Sequence, residues 1–153
     1  MKTIPSEIIN FLTNQGFVVL STVDNQGFPH SSCKGIIKIE EKGKIFLLDL
    51  YHGKTYENLK INPYVSVTVV DEHKFKGYSL KGKGEIVKIT NANKKLLKNW
   101  EDLISRRLVR RLLKNIKGEK GHSAHPEAHL PSPKYLIEIK VEEIVDLKPA
   151  HIK

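Results

Sequence analysis

The chain has 153 residues, 39% apolar and 28% charged, with ten glycines, one cysteine and a formal net charge of +9. A domain of this size buries roughly 68–70% of its unfolded surface, so it needs neither disulfides nor structural zinc to build a core, and Cys33 has no intramolecular partner. The longest apolar runs, such as Ile45 to Leu50 and Val65 to Val70, fall far short of the roughly 20 residues of a spanning helix. Met1-Lys2 runs into Ile4-Pro5-Ser6-Glu7 without the apolar core of a secretory signal, so a cytoplasmic protein is expected.

Pro5 to Gln15 predicts a short helix, with Ile8, Ile9, Phe11 and Leu12 at helical spacing and Gly16 after its end. Phe17 to Val23 is rich in β-branched and aromatic residues, Asp24 to Gly27 is a turn, and Pro29 to Ile39 is a second extended run, which together predict a hairpin. Glu41 to Lys44 turns the chain into a third strand beginning at Ile45. After Gly53 the pattern becomes helical through Tyr56 and Leu59, and Asn62-Pro63 ends it, because the residue before proline is pushed out of the α region. Tyr64 to Val70 and Lys76 to Thr90 alternate as strands, and the glycines at 82 and 84 imply close backbone approach.

From Ala92 to Ile116 the apolar set Leu96, Leu97, Trp100, Leu103, Ile104, Leu108, Leu112, Leu113 and Ile116 keeps a 3.6-residue period without Gly or Pro and predicts one long helix. Gly118 to Pro133 reads as loop and Tyr135 to Val141 as a last strand. Six strands joined by hairpin-length turns, one long helix in the C-terminal half and two short helices predict a mainly β, six-stranded antiparallel split barrel. It forms a single domain over residues 1–153, with a helical insertion at about 91–120 and a loop at 118–133.

No nucleophile elbow, Walker loop, Rossmann glycine fingerprint or HExxH occurs, which excludes ordinary hydrolase and nucleotide-kinase readings. The informative stretch is Gly53 to Pro63, where Lys54 and Thr55 stand just before a short helix that carries Lys60 in its next turn. This is an anion cradle in outline, because free N–H groups and the positive end of a helix dipole face any group bound there. The alternative is an exposed, capped helix with solvated lysines.

Val19-Leu-Ser-Thr-Val-Asp-Asn-Gln-Gly-Phe-Pro-His30, Gly43-Lys-Ile-Phe46, Lys54-Thr-Tyr-Glu-Asn-Leu59 and Asn62-Pro-Tyr-Val-Ser-Val-Thr-Val69 occur in an order and spacing that resembles the FMN-binding split barrels of the pyridoxamine-phosphate-oxidase-like superfamily. The resemblance covers roughly residues 5–90 and is nearest to small single-domain, flavin-reductase-like members. It implies a homodimer that holds FMN at its interface and acts as a flavin-dependent oxidoreductase or electron carrier. It assigns Ser32, Cys33, Lys34 and Gly35 on the second strand and Leu48 and Asp49 on the third to the isoalloxazine, and Lys54 and Thr55 to the phosphate, with Asn58 and Lys60 as further contacts. This chain departs from the family where a double-basic pair is replaced by Lys54-Thr55 and a second-strand aromatic by Ile36 or Ile37. It also lacks the tryptophan and arginine-rich C-terminal substrate motif, so pyridoxamine oxidation itself is not expected. FAD, F420 and haem remain alternatives to FMN, which one phosphate cradle favours.

Several residues have two readings. Cys33 is a small packed residue or a redox thiol, and Asp49 is a ring contact or the solvated end of a strand. His122, His125 and His129 form a polar loop or contact a metal or haem, although their spacing matches no standard zinc pattern, and no metal is expected. Ten Lys/Arg against three Asp/Glu lie between Asn91 and Gly121, leaving 16 against 14 elsewhere. The basic helix is thus a solvated face or, as the alternative function, the contact surface of a non-enzymatic polyanion-binding module on a flavin-free barrel. Basicity confined to one helix argues against nucleic acid as the partner.

Overall fold

A computed structural model describes residues 1–15, 17–102, 105–106, 133–149 and 151, with the backbone alone at 92. It divides into two units, residues 1–88 with 133–153, and residues 89–132. The first contains α1 (Ser6–Asn14), β1 (Val18–Val23), β2 (Pro29–Glu40), β3 (Lys44–Asp49), α2 (Lys54–Ile61), β4 (Tyr64–Asp71), β5 (Lys76–Lys88) and β6 (Tyr135–Asp146). In the second, residues 94–102 and 105–106 are helical, within the predicted long helix, and Asn93 Oδ1 accepts from Thr90 N–H at 2.7 Å. The remainder of that helix, the loop after it and the three histidines lie outside the described residues.

The strands close into an antiparallel barrel in the order β1-β2-β3-β6-β5-β4. Alternation dictates which side chains enter it, since successive Cβ atoms point to opposite faces of a strand. Val18 and Leu20 of β1, Ile45 and Leu47 of β3, Val65, Val67 and Val69 of β4 and Ile137, Ile139 and Val141 of β6 form one buried cluster. Each such aliphatic side chain contributes roughly 1.5–3 kcal/mol on burial. Ile8 and Leu12 of α1 and Leu59 of α2 join the same cluster, so both helices spend their apolar faces on the barrel. Phe11 meets Tyr78 edge to face at a centroid distance of 5.3 Å.

Of the glycines predicted to allow close backbone approach, Gly82 does so, whereas a Cβ at Gly84 would meet only side chains. At Gly82 a Cβ would overlap the carbonyl oxygen of Lys140 on the neighbouring strand. The same place carries a register shift between Lys81 and Gly82, beyond which β5 continues to pair with β6 as far as Tyr78↔Asp146. β6 takes up one extra residue there, Glu142, and runs on to Asp146, past Val141 where its alternation predicted the strand. Gly43, at φ 93°, turns β2 into β3 in the left-handed region that disfavours a side chain.

Two polar tethers fix α2 on the barrel. Asn58 Nδ2 donates to Thr22 Oγ1 at 2.9 Å, with both residues buried, and the Ser32 and Thr55 hydroxyls lie 3.0 Å apart. Gly82→Ala is therefore expected to destabilise the fold by about 1–3 kcal/mol through overpacking. Gly35→Ala, where a Cβ meets nothing within 4 Å, should be neutral or stabilising by up to about 1 kcal/mol. Asn58→Ala should cost about 1–3 kcal/mol, because it leaves the buried Thr22 hydroxyl only its long 3.4 Å bond to the His30 carbonyl. Urea denaturation of the three variants checks all of these; equal midpoints for Gly82→Ala and Gly35→Ala would contradict the packing assignment.

Candidate functional site

The residues that the sequence assigned to a ligand fall into distinct groups in three dimensions. Ser32, Cys33, Lys34 and Gly35 are consecutive on β2, so strand alternation divides them. Cys33 is exposed, on the face opposite its neighbours Ser32 and Lys34, both of which are half-buried. Ser32 reaches Thr55 at the start of α2, and Lys34 reaches Asp49 at the end of β3. Leu48 is buried, as is Asn58, whose amide is committed to Thr22. Lys54 and Lys60 are exposed, Lys54 Nζ standing 3.9 Å from Glu57 and Lys60 Nζ 5.5 Å from the Tyr56 ring centroid.

Asp49 is not a solvated strand end. Its side chain is 5% exposed and that of Lys34 12%, and Lys34 Nζ lies 2.7 Å from Asp49 Oδ2. Tyr135, directly across from Asp49 in the β3–β6 register, donates its hydroxyl to the same oxygen at 2.6 Å, and Tyr51 N–H approaches Oδ1 at 3.4 Å. A carboxylate taken out of water is tolerated when its lone pairs are satisfied by an ammonium and a hydroxyl together. Burial, and then the hydrogen bond to Asp49, push the Tyr135 hydroxyl well above the usual phenol range, so it remains a protonated donor.

An aromatic group surrounds this row. His52 is tilted against Tyr56 at 4.5 Å and stacked on Tyr135 at 5.5 Å, while Tyr56 meets Tyr135 edge to face at 5.1 Å. Sequence reasoning missed Tyr135, His52 and Tyr56. The short interval Asp49-Leu-Tyr-His-Gly-Lys54 was the available signal for His52, but Tyr135 lies 86 positions from Asp49 and only the sheet order brings the two together.

The amino end of α2 has the chemistry of an anion site. Gly53 is its N-cap and no side chain caps it, so the first-turn N–H groups have no side-chain partner, and a Cβ at Gly53 would meet nothing within 4 Å. The Lys54 ammonium stands beside them, half exposed. The Thr55 hydroxyl, by contrast, is buried and paired with Ser32, and serves to hold the helix. In the β1–β2 turn, the backbone N–H groups of Phe28 and Gln26 hold the Asp24 carboxyl below its usual range, with the charge of Lys54 acting in the same direction.

Among solved structures the chain is similar to Group A Streptococcus HupZ, with a TM-score of 0.67, 20% identity and 95% of this chain covered against 94% of that one. It is also similar to a Clostridium acetobutylicum protein related to general stress protein 26, of the pyridoxinephosphate oxidase family (TM-score 0.66, 20% identity, 96% and 88% covered). A third is HutZ, the heme storage protein of Vibrio cholerae (TM-score 0.55, 23% identity, 95% and 94% covered). At these identities the likeness concerns the fold. A search of curated proteins finds no match. The family model described as pyridoxamine 5'-phosphate oxidase matches residues 4–148, helices, barrel and last strand included, and the chain accordingly belongs to the pyridoxamine 5'-phosphate oxidase family.

Proposed function

We propose that the protein is an FMN-binding flavoprotein, a cytoplasmic homodimer that holds the cofactor at its interface and works as an oxidoreductase or electron carrier. The observation that carries the reading is that β2 joins an uncapped helix amino terminus flanked by Lys54, through the Ser32–Thr55 contact, to the desolvated Lys34–Asp49 row two residues further along the strand. The first suits a phosphate monoester and the second a polar, largely dry wall for a heteroaromatic ring. Family membership supports the same assignment.

In this reading the uncapped N–H groups of α2 and the Lys54 ammonium hold the phosphate. The two tethers from Thr55 and Asn58 keep that helix end in place without reorganisation on binding. Lys34 and Asp49 present charge at a fixed position, and over residues 29–34, where β2 pairs with β1 alone, the backbone N–H groups on its other side supply donors to the ring. Bound flavin supplies the redox chemistry, passing hydride or single electrons between a nicotinamide or protein donor and an acceptor. The chain lacks the C-terminal substrate motif of the true pyridoxamine-phosphate oxidases, which favours a different substrate.

Lys54→Glu places a like charge at the phosphate. Because the side chain is half exposed, solvent screens the effect, and FMN binding should weaken by about tenfold to thirtyfold while riboflavin changes by less than about threefold. Fluorescence titration with the two ligands decides the matter, and equal weakening of both would place the phosphate elsewhere. Light scattering of the FMN-loaded protein should give twice the 17.4 kDa chain mass; the mass of one chain with flavin still bound would refute the shared interface.

A further inference from the structure

Asp49 Oδ2 receives two donors, Lys34 Nζ at 2.7 Å and the Tyr135 hydroxyl at 2.6 Å. Tyr135 is buried, and its ring is packed against both His52 and Tyr56, so rotation away from the carboxylate is blocked on two sides. Barrel packing explains the ring, but it does not call for a hydroxyl aimed at a charged oxygen that an ammonium already occupies.

We propose that Tyr135 is a positioning residue for the flavin site: through its hydrogen bond to Asp49 it sets how much negative charge the Lys34–Asp49 row presents to the cofactor. The inference rests on the flavin reading above. With the hydroxyl in place, Asp49 is shared between two donors and the Lys34 charge is only partly compensated. Without it, Lys34 and the long Tyr51 contact are the remaining donors to that carboxylate among the described residues, and the row becomes more negative. A reduced flavin carries more negative charge than an oxidised one, so the row discriminates between the two forms. Neutralising Asp49 acts in the opposite sense, because it unmasks the Lys34 ammonium in a poorly solvated place.

The test is the ratio of reduced to oxidised FMN affinity in the full chain, measured by anaerobic titration of each form. Tyr135→Phe, which keeps the ring, should lower the ratio about threefold to tenfold, a tenfold change being about 30 mV in a two-electron potential. Asp49→Asn should raise it about tenfold, and adding Tyr135→Phe to Asp49→Asn should change it by less than about twofold, the signature of action through the carboxylate. A merely structural role would weaken both redox forms alike and leave the ratio fixed; that result, or an equal shift in the Asp49→Asn background, overturns the proposal. If Tyr135→Phe does not fold, Asp49→Asn alone decides, and an unchanged or lowered ratio overturns it. A wild-type chain that binds neither form overturns the flavin reading as well, whereas wild-type binding with an unmoved ratio overturns this proposal only.

Discussion

The barrel closes only because β6 enters between β3 and β5, and the candidate site depends on that closure. β6 pairs along one edge with β3, from Lys44↔Lys140 to Asp49↔Tyr135, and along the other with β5, from Tyr78↔Asp146 to Lys88↔Tyr135. Ile137 and Ile139 therefore face Leu47 and Ile45, all fully buried, on one side and Ile86 and Gly84 on the other. The same register delivers Tyr135 to Asp49. Core formation and the assembly of the polar row are thus one event, and a slip of one residue in β6 would turn Ile137 outward and remove Tyr135 from the carboxylate together.

The second requirement is that the polar groups at the edge of the core be satisfied by one another. Among the described residues no buried side-chain nitrogen or oxygen lacks a partner. The Thr22–Asn58 bond and the Ser32–Thr55 contact join α2 to β1 and β2, and Lys34, Asp49 and Tyr135 join β2, β3 and β6. These are the polar interactions whose loss would be felt, since removing one partner strands the other away from water. Exposed pairs such as Lys81–Glu143, at 3.4 Å with both side chains half in solvent, contribute little by comparison. Groups held to one another in this way join α2 and these strands without needing a ligand to satisfy them.

Much of this was legible in the sequence because the signals were local. The β-branched alternation of 64–70, the turn at Asp24 to Gly27 and the proline at 63 each fix an element by its own chemistry, and the elements appear where those residues put them. The glycine at 82 announced a close strand approach, but not the bulge in β6 opposite it. The site was legible in part. Lys34, Asp49 and the start of α2 were named, and of the four consecutive β2 residues named with them, alternation sends Cys33 to the face opposite Ser32 and Lys34. Asn58 and Thr55 were named from the family resemblance, whereas their burial and their bonds to Thr22 and Ser32 come from the packing of α2 on the barrel, which is not a local property of the sequence. Tyr135 could not be found, since its meaning comes entirely from pairing with a strand 86 positions away.

The same fold serves proteins with different cargo: one similar structure is a heme storage protein, and its likeness to this chain is one of fold. The flavin account rests on the combination of an uncapped helix start with Gly53 and Lys54 and a charged row at Lys34 and Asp49; the propionates of a haem could use the same cations, so the cofactor has to be identified directly. The most direct measurement is the absorption spectrum of the purified protein after incubation with FMN and removal of excess, followed by mass identification of what heat releases. The account predicts two visible bands near those of free flavin and release of FMN in stoichiometric amount; a Soret band with release of haem, or a colourless protein that retains no FMN, would contradict it.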